Sequence, residues 1–350
     1  MPTRLSANLD LLRAVAVLLV LAQHLLVRFH WADALHIGAP TMGTFGVYLF
    51  FVHTCLVLMY SMERSHLNGR ALVENFYIRR IFRIYPLSMI AVLAAVALHL
   101  DSMANGITGL SHVVAIPTGR IISNLLLIQN VIKPGSIVNV LWSLPYEVQM
   151  YVFLPFLFLW IRGKQNALRM LGVLWVIAVI VAILYKQIAG TFPWDRIGLV
   201  LFVPCFLPGV IAFVLPHIPK FKSIFWLPFL LILVGVYLLA PLNRAAWVLC
   251  LILGVAIPYF GEIQTSWLRW TSHWIATYSY GIYLSHQFCI WLVADVFSSW
   301  PAWIKFPMLA GLLIAIPIVL YHTVEKPMIA VGISVADWWT RGAPEQANPA

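Results

Sequence analysis

Residues 9–26, LDLLRAVAVLLVLAQHLL, decide the fold. With its flanks this apolar run is long enough to cross a bilayer, which takes about 20 residues, yet it holds Arg13 and His24. Ionisable groups inside a span are expensive and face the interior of a bundle. The 11 residues from Arg13 to His24 turn an α-helix by about 1100°, which leaves the two side chains about 20° apart on one face and about 16 Å apart along the axis. One face therefore links two depths, with Arg13 near the inner surface and His24 in the outer half. Arg13 fits two readings, snorkelling to the head groups or serving a buried site. His24 likewise fits a single interhelical hydrogen bond or general-base work on an alcohol, which a neutral imidazole can perform.

The rest of the chain agrees with a membrane. It has 350 residues, of which 62% are hydrophobic and 10% charged, with a mean hydropathy of +0.91. Those values lie outside the range of soluble domains. They predict an all-α integral membrane protein. The net charge of +10 would suggest nucleic acid in a soluble chain, but Lys and Arg here lie between apolar runs, so orientation in a bilayer explains them and nucleic-acid binding is excluded. Cys55, Cys205, Cys250 and Cys289 lack the paired spacing of a zinc or redox site and read as core filler. The N-terminus imitates a signal peptide, but its apolar stretch carries His24 and many spans follow, so a retained first helix is expected.

A ruler of about 20 residues gives ten spans, near 9–29, 43–63, 81–100, 147–161, 168–188, 197–216, 224–240, 244–260, 277–298 and 303–324. Most of the 22 basic residues then share a side with the N-terminus, which places both termini in the cytoplasm. Residues 101–146 form a long outer connection. Its apolar piece ISNLLLIQNVI (122–132) is expected to dip in and return, because an eleventh span would set the C-terminus against the charge bias. Residues 1–335 read as one transmembrane domain and 336–350 as a disordered tail.

Three further features carry chemistry. Arg79, Arg80 and Arg83 sit at neighbouring positions on a helix surface at the inner start of the third span. They fit a positive-inside anchor or a phosphate clamp, for which the planar guanidinium fork is suited. Glu147 opens the fourth span on the outer side, as a helix N-terminal carboxylate or as a partner that orients His24. About 30 Å of hydrocarbon would separate it from the arginines. His53, Tyr283 and His286 fall near mid-membrane, either packed and hydrogen-bonded or close to a site.

Five motifs in order carry a resemblance: R-x10-H in the first span, GVYLFFVHTCLVL (46–58), FYIRRIFRIYPL (76–87), LWSLPYEVQMY (141–151) and YSYGIYLSHQ (278–287). Together, from residue 9 to about 325, they resemble acyltransferase family 3. The resemblance implies an integral membrane enzyme that takes an acyl group, often acetyl, from cytoplasmic acyl-coenzyme A and places it on a hydroxyl of a surface carbohydrate or glycolipid. It implies His24 as the catalytic centre, supported by Arg13 and Glu147; His24 then serves either as base for the acceptor hydroxyl or as transient carrier of the acyl group. Arg80 and Arg83, with Arg79 beside them, would hold the phosphates of coenzyme A. From their places in the spans rather than from the resemblance, Trp142, Ser143, His53, Tyr283 and His286 are expected around the substrates, His53 being a buried histidine that the common pattern lacks. No metal is implied, and the bacterial inner membrane is the expected location. The chain departs from the common pattern in the second motif: Tyr48 replaces an aspartate, and His53-Thr54-Cys55 replaces Leu-Ser-Gly. Two rivals predict other things: a proton-coupled transporter of an anionic solute predicts inverted repeats, which the sequence lacks, and a haem protein predicts a pair of axial histidines among His24, His53 and His286.

Overall fold

The structure is a computed structural model that describes residues 6–31, 39–102, 109–132, 135–189, 197–239 and 245–341. Its helices are α1 (Ala7–Arg28), α2 (Ala39–Ser65), α3 (Gly69–Ala97), α4 (Thr118–Leu125), α5 (Gln129–Ile132), α6 (Leu144–Ile161), α7 (Ala167–Ala189), α8 (Val203–Val214), α9 (Trp226–Leu239), α10 (Ala245–Ala256), α11 (Ser266–Trp291), α12 (Ala302–Leu320) and α13 (Lys326–Arg341). Strands β1 (Leu100–Asp101) and β2 (Ser111–His112) pair antiparallel. A mostly helical, apolar chain of this kind is an integral membrane protein.

Among the described residues six helices are long and apolar enough to cross a membrane: α1, α2, α3, α6 with its 3-10 lead, α7, and the continuous run Ala302–Thr340. That run has 39 residues, close to 60 Å at 1.5 Å per residue, about twice the hydrocarbon thickness. Its last part, α13, therefore extends beyond one crossing. It lies along α3, where Arg79 meets Asp337 at 2.9 Å and Trp339 donates to Glu74 at 3.0 Å. The helix thus continues through residues 336–341, which the sequence assigns to a tail; 342–350 lie outside the described residues.

Two boundaries move with consequences for the site. Helix α3 begins at Gly69 rather than near residue 81, so Arg80 and Arg83 sit well inside it. The polar stretch GRALVENFYIRR (69–80) fails an apolar ruler but is a good helix former. Helix α11 begins at Ser266 rather than near 277, so His286 lies close to its far end. In the connection between α3 and α6, α4 has eight residues and α5 four, about 12 and 6 Å long. Neither can cross, and Leu127 between them adopts a positive φ of 54° that breaks the helix.

Helix α1 packs against both α2 and α11. Ser6 caps its start, accepting from the Leu9 N–H at 3.4 Å, which satisfies one orphan donor. Asn8, 3% exposed, ties this end to the segment before α11: it donates to the Gly261 carbonyl at 3.0 Å and accepts from the Ile263 N–H at 3.2 Å. In lipid, close backbone approach drives helix association. A Cβ on Gly46 would stand 2.5 Å from the Ala16 carbonyl of α1, and one on Gly209 would stand 2.2 Å from the Val52 carbonyl of α2. These two glycines let α1, α2 and α8 cross in contact.

Candidate active site

Helices α1, α2, α3, α6 and α11 enclose a cavity of about 110 Å³. Arg13, Arg80 and Arg83 line it together with Glu147, His53, Tyr151, Ser143, Tyr280 and Tyr283. Of these charges Arg13, Glu147 and Arg83 each have a partner. The Arg13 Nε donates to the Ser279 hydroxyl at 2.6 Å, which passes a hydrogen bond to the Ala276 carbonyl at 2.7 Å. Glu147 accepts from the Tyr151 hydroxyl one turn later. Arg83 forms a 3.0 Å ion pair with Glu325, whose side chain is fully buried. Glu325 belongs to the π-helical turn Tyr321–Glu325, a device common at functional sites. Arg80 keeps a buried Nε without a partner in the protein. Three guanidiniums against one lining carboxylate suit an anion with several phosphate oxygens.

His24 faces a different space. It lines a narrow slot with Arg28, Gln287, Trp291, Leu110 and Asp295. Its Nδ1 lies 2.8 Å from the Val20 carbonyl, and a carbonyl only accepts, so this nitrogen carries the proton. The same argument protonates Nδ1 of His286, 2.9 Å from the Ile282 carbonyl. The bare Nε2 of His286 then lies 3.3 Å from the His24 Nδ1, with ring centroids 5.0 Å apart. What remains on His24 is Nε2, buried, unprotonated and without a partner in the protein. This is the state a general base requires. The direct contact of the two rings leaves no room for a porphyrin plane between them.

The structure thus brings Arg13, Arg80, Arg83, Glu147, Ser143, His53 and Tyr283 to one cavity and sets His24 at another, with His286 packed against its ring. Tyr283 and His286 of α11 lie between the two, ring centroids 6.4 Å apart. Two expectations are corrected. Glu147 does not orient His24: its carboxylate is engaged by Tyr151 and lines the arginine cavity. Nor does a membrane thickness separate Glu147 from Arg80 and Arg83, because α3 starts 12 residues earlier than the apolar ruler puts it. Arg79 points away from its two neighbours and pairs with Asp337. Trp142 packs at 5.8 Å on Phe202 instead of lining the cavity.

Several site residues are given no role by the sequence reading, although Tyr151, Ser279, Tyr280 and Gln287 stand inside the motifs quoted from it. Tyr151, Ser279, Tyr280 and Glu325 converge here only through the fold. Gln287, 2% exposed, is an uncharged polar group in an apolar span, and the cost of burying it is the signal that could have exposed it. The four cysteines are free and buried. Among the described residues no group of three or more His, Cys, Asp or Glu side chains is placed to hold a metal.

The profile of the acyltransferase domain, family 3, matches residues 6–322. The chain is 28% identical over 323 residues to the peptidoglycan O-acetyltransferase of Listeria monocytogenes, covering 83% of this chain and 50% of that protein. It is 25% identical over 212 residues to a protein of Acidianus two-tailed virus named as an acetyltransferase, covering 58% of this chain and 57% of the viral one. The chain spans about half the length of these curated relatives. No solved structure matches it significantly. With a match over nearly its whole length and a cavity and histidine drawn from the family's motifs, the chain belongs to acyltransferase family 3.

Proposed function

We propose that the protein is an acyl-coenzyme A dependent O-acyltransferase that moves an acyl group, acetyl in the first instance, from a cytoplasmic donor to a hydroxyl of an envelope carbohydrate or glycolipid. Its place is the bacterial inner membrane with both termini in the cytoplasm. The six long helices, α11 and the shorter apolar α8, α9 and α10 make ten crossings, and residues 118–132 fold back at the outer face. The observation that carries the reading is the pairing of an arginine-lined cavity with an imidazole whose Nε2 is free. Arg13, Arg80 and Arg83 hold the donor phosphates, and Glu147 balances their charge and steadies Tyr151.

His24 Nε2 takes the proton of the acceptor hydroxyl as its oxygen attacks the thioester carbonyl. The new bond is C–O and the bond that breaks is C–S. The proton then passes from the imidazolium to the departing thiolate, so the enzyme returns unchanged. Preorganised groups supply the rest of the acceleration. In this direct transfer both substrates are bound at once and kinetics are sequential, whereas an acyl group carried on His24 gives ping-pong kinetics. A peptidoglycan-modifying relative supports a glycan acceptor. The test is thiol release from acetyl-coenzyme A by purified protein against a panel of sugars. Release stimulated by a sugar, with intersecting rather than parallel double-reciprocal lines, is expected; no release with any acceptor refutes the assignment.

A further inference from the structure

The slot at His24 holds a second unsatisfied group. Gln287, the residue after His286 on α11, lines the slot with His24, is 2% exposed, and neither its amide nitrogen nor its amide oxygen has a partner in the protein. A buried amide left unpaired is costly unless something else completes it. The slot has about 10 Å³ of free space, roughly enough for a single hydroxyl or water. Its walls come from α1, α11 and the residues leading into β2, with Leu110 on one side and Trp291 on another. The Trp291 indole is set edge-to-face against His112 of β2 at 5.5 Å, and the mouth is marked by the Arg28–Asp295 ion pair at 2.6 Å. A flat indole, a charged rim and a buried polar pocket are how a site grips a ring bearing hydroxyls.

We propose that Gln287 is the residue that seats the acceptor on His24. One hydroxyl of a pyranose occupies the slot, giving its hydrogen to His24 Nε2 while its oxygen accepts from the Gln287 amide N–H. The Gln287 oxygen accepts from the neighbouring hydroxyl of the same ring. The residue therefore selects an acceptor with two adjacent hydrogen-bonding groups, and reads their spacing. Nothing in the arginine cavity takes part, so the donor is indifferent to it. This rests on the acyltransferase reading above and names its acceptor class.

The test uses full-length protein in lipid nanodiscs with acetyl-coenzyme A, a panel of methyl hexopyranosides and 2-acetamido hexopyranosides, and water alone as acceptor. Gln287→Leu is compared with the unaltered protein. The exchange removes an amide that has no partner in the protein, so the melting temperature is expected to hold or rise. The acceptor KM is expected to rise about tenfold, as for loss of one buried hydrogen bond, with the donor KM unchanged. With water alone, hydrolysis falls by a similar factor. Removing the neighbouring hydroxyl from the best sugar costs the unaltered protein about tenfold and the variant nothing, since the lost partner is the same. An unchanged acceptor KM, an unchanged sensitivity to the deoxy sugar, or a fall in melting temperature as large as the fall in turnover overturns the role of Gln287. If the unaltered protein releases no thiol with any sugar or with water, the acyltransferase reading itself fails and this inference falls with it.

Discussion

Asp101→Asn should loosen the outer segment without unfolding the bundle. Asp101 closes β1, and Arg120 in α4 grips its carboxylate with both terminal nitrogens, one at 2.7 Å. The two side chains are only 8% and 12% exposed. Arg120 also donates to the Ser136 carbonyl at 3.0 Å. Asn124, one turn on, donates to the Gly135 carbonyl at 3.0 Å and accepts from the Ile137 N–H at 2.9 Å. The Ser102 N–H donates to Ile137 at 2.9 Å. The carboxylate is thus the knot where residues 101, 120 and 136 meet. Removing one partner of a buried pair costs about 3–5 kcal/mol. Asparagine keeps the shape and one acceptor, and a charge-assisted bond is worth about 1.5–3 kcal/mol, so about 2–3 kcal/mol is the expected loss.

At about 1.4 kcal/mol per tenfold, that loss raises local opening about 30- to 100-fold. Hydrogen exchange followed by mass spectrometry reads it: amides of residues 111–113 and 136–138 should lose protection by this factor, while α1 and α11 keep theirs. Because Leu110 walls the His24 slot, the acceptor KM should rise while the donor KM holds. A change in protection below threefold refutes the knot. An equal loss in α1 and α11 shows that the pair supports the whole bundle instead.

The remaining expectations are brief. His24→Ala should abolish transfer, by 10² at least, in a protein that still purifies and binds donor; normal turnover refutes its role as base. Arg80→Ala should raise the donor KM about 10- to 100-fold, the loss of one charge-assisted contact, measured by initial rates against acetyl-coenzyme A; Arg83→Ala should add a loss of thermal stability by stranding Glu325, relieved by Glu325→Gln. Glu147→Gln should tighten donor binding about tenfold, because it removes the lining anion from a cavity built for anions; an unchanged donor affinity with lowered turnover would return Glu147 to the side of His24. Gly209→Val should lower thermal stability by more than about 1–3 kcal/mol, since a Cβ there meets a backbone carbonyl at 2.2 Å that no rotamer change can relieve, and an unchanged melting temperature would refute that contact.

The sequence shows the first helix fully. Arg13 and His24 do share one face and reach two different spaces, because an 11-residue interval in a regular helix leaves little freedom. It shows the arginine cluster but not its depth. A ruler based on apolar residues starts α3 at residue 81, whereas a membrane helix continues wherever its polar residues find partners, here Glu74 with Trp339 and Arg79 with Asp337. That one boundary carried Arg80 to the inner surface and Glu147 to the outer, and so suggested the wrong partner for each. Glu325 and Gln287 were hidden for a related reason. Each is a single polar residue whose meaning lies in what a distant helix brings to it, and periodicity says nothing about that.

Under the proposed function, the separation of His24 from the arginines follows from the chemistry asked of each. Phosphates need fixed positive charge close by, whereas an imidazole that must take up a proton works against every neighbouring cation. At an effective dielectric of about 20, two unit charges 4 Å apart repel by about 4 kcal/mol, and 16 Å apart by about 1 kcal/mol. Packed beside Arg13, Arg80 and Arg83, the base would meet that larger penalty up to three times over. Three turns of α1 reduce it to a tolerable fraction while keeping both groups on the helix face that α11 covers. The same three turns set the reach the donor must have from its phosphates to its thioester. On the interval R-x10-H, one helical turn fewer would bring the imidazole toward the guanidiniums, and a shift that is not close to a whole number of turns would rotate His24 away from His286 and the slot.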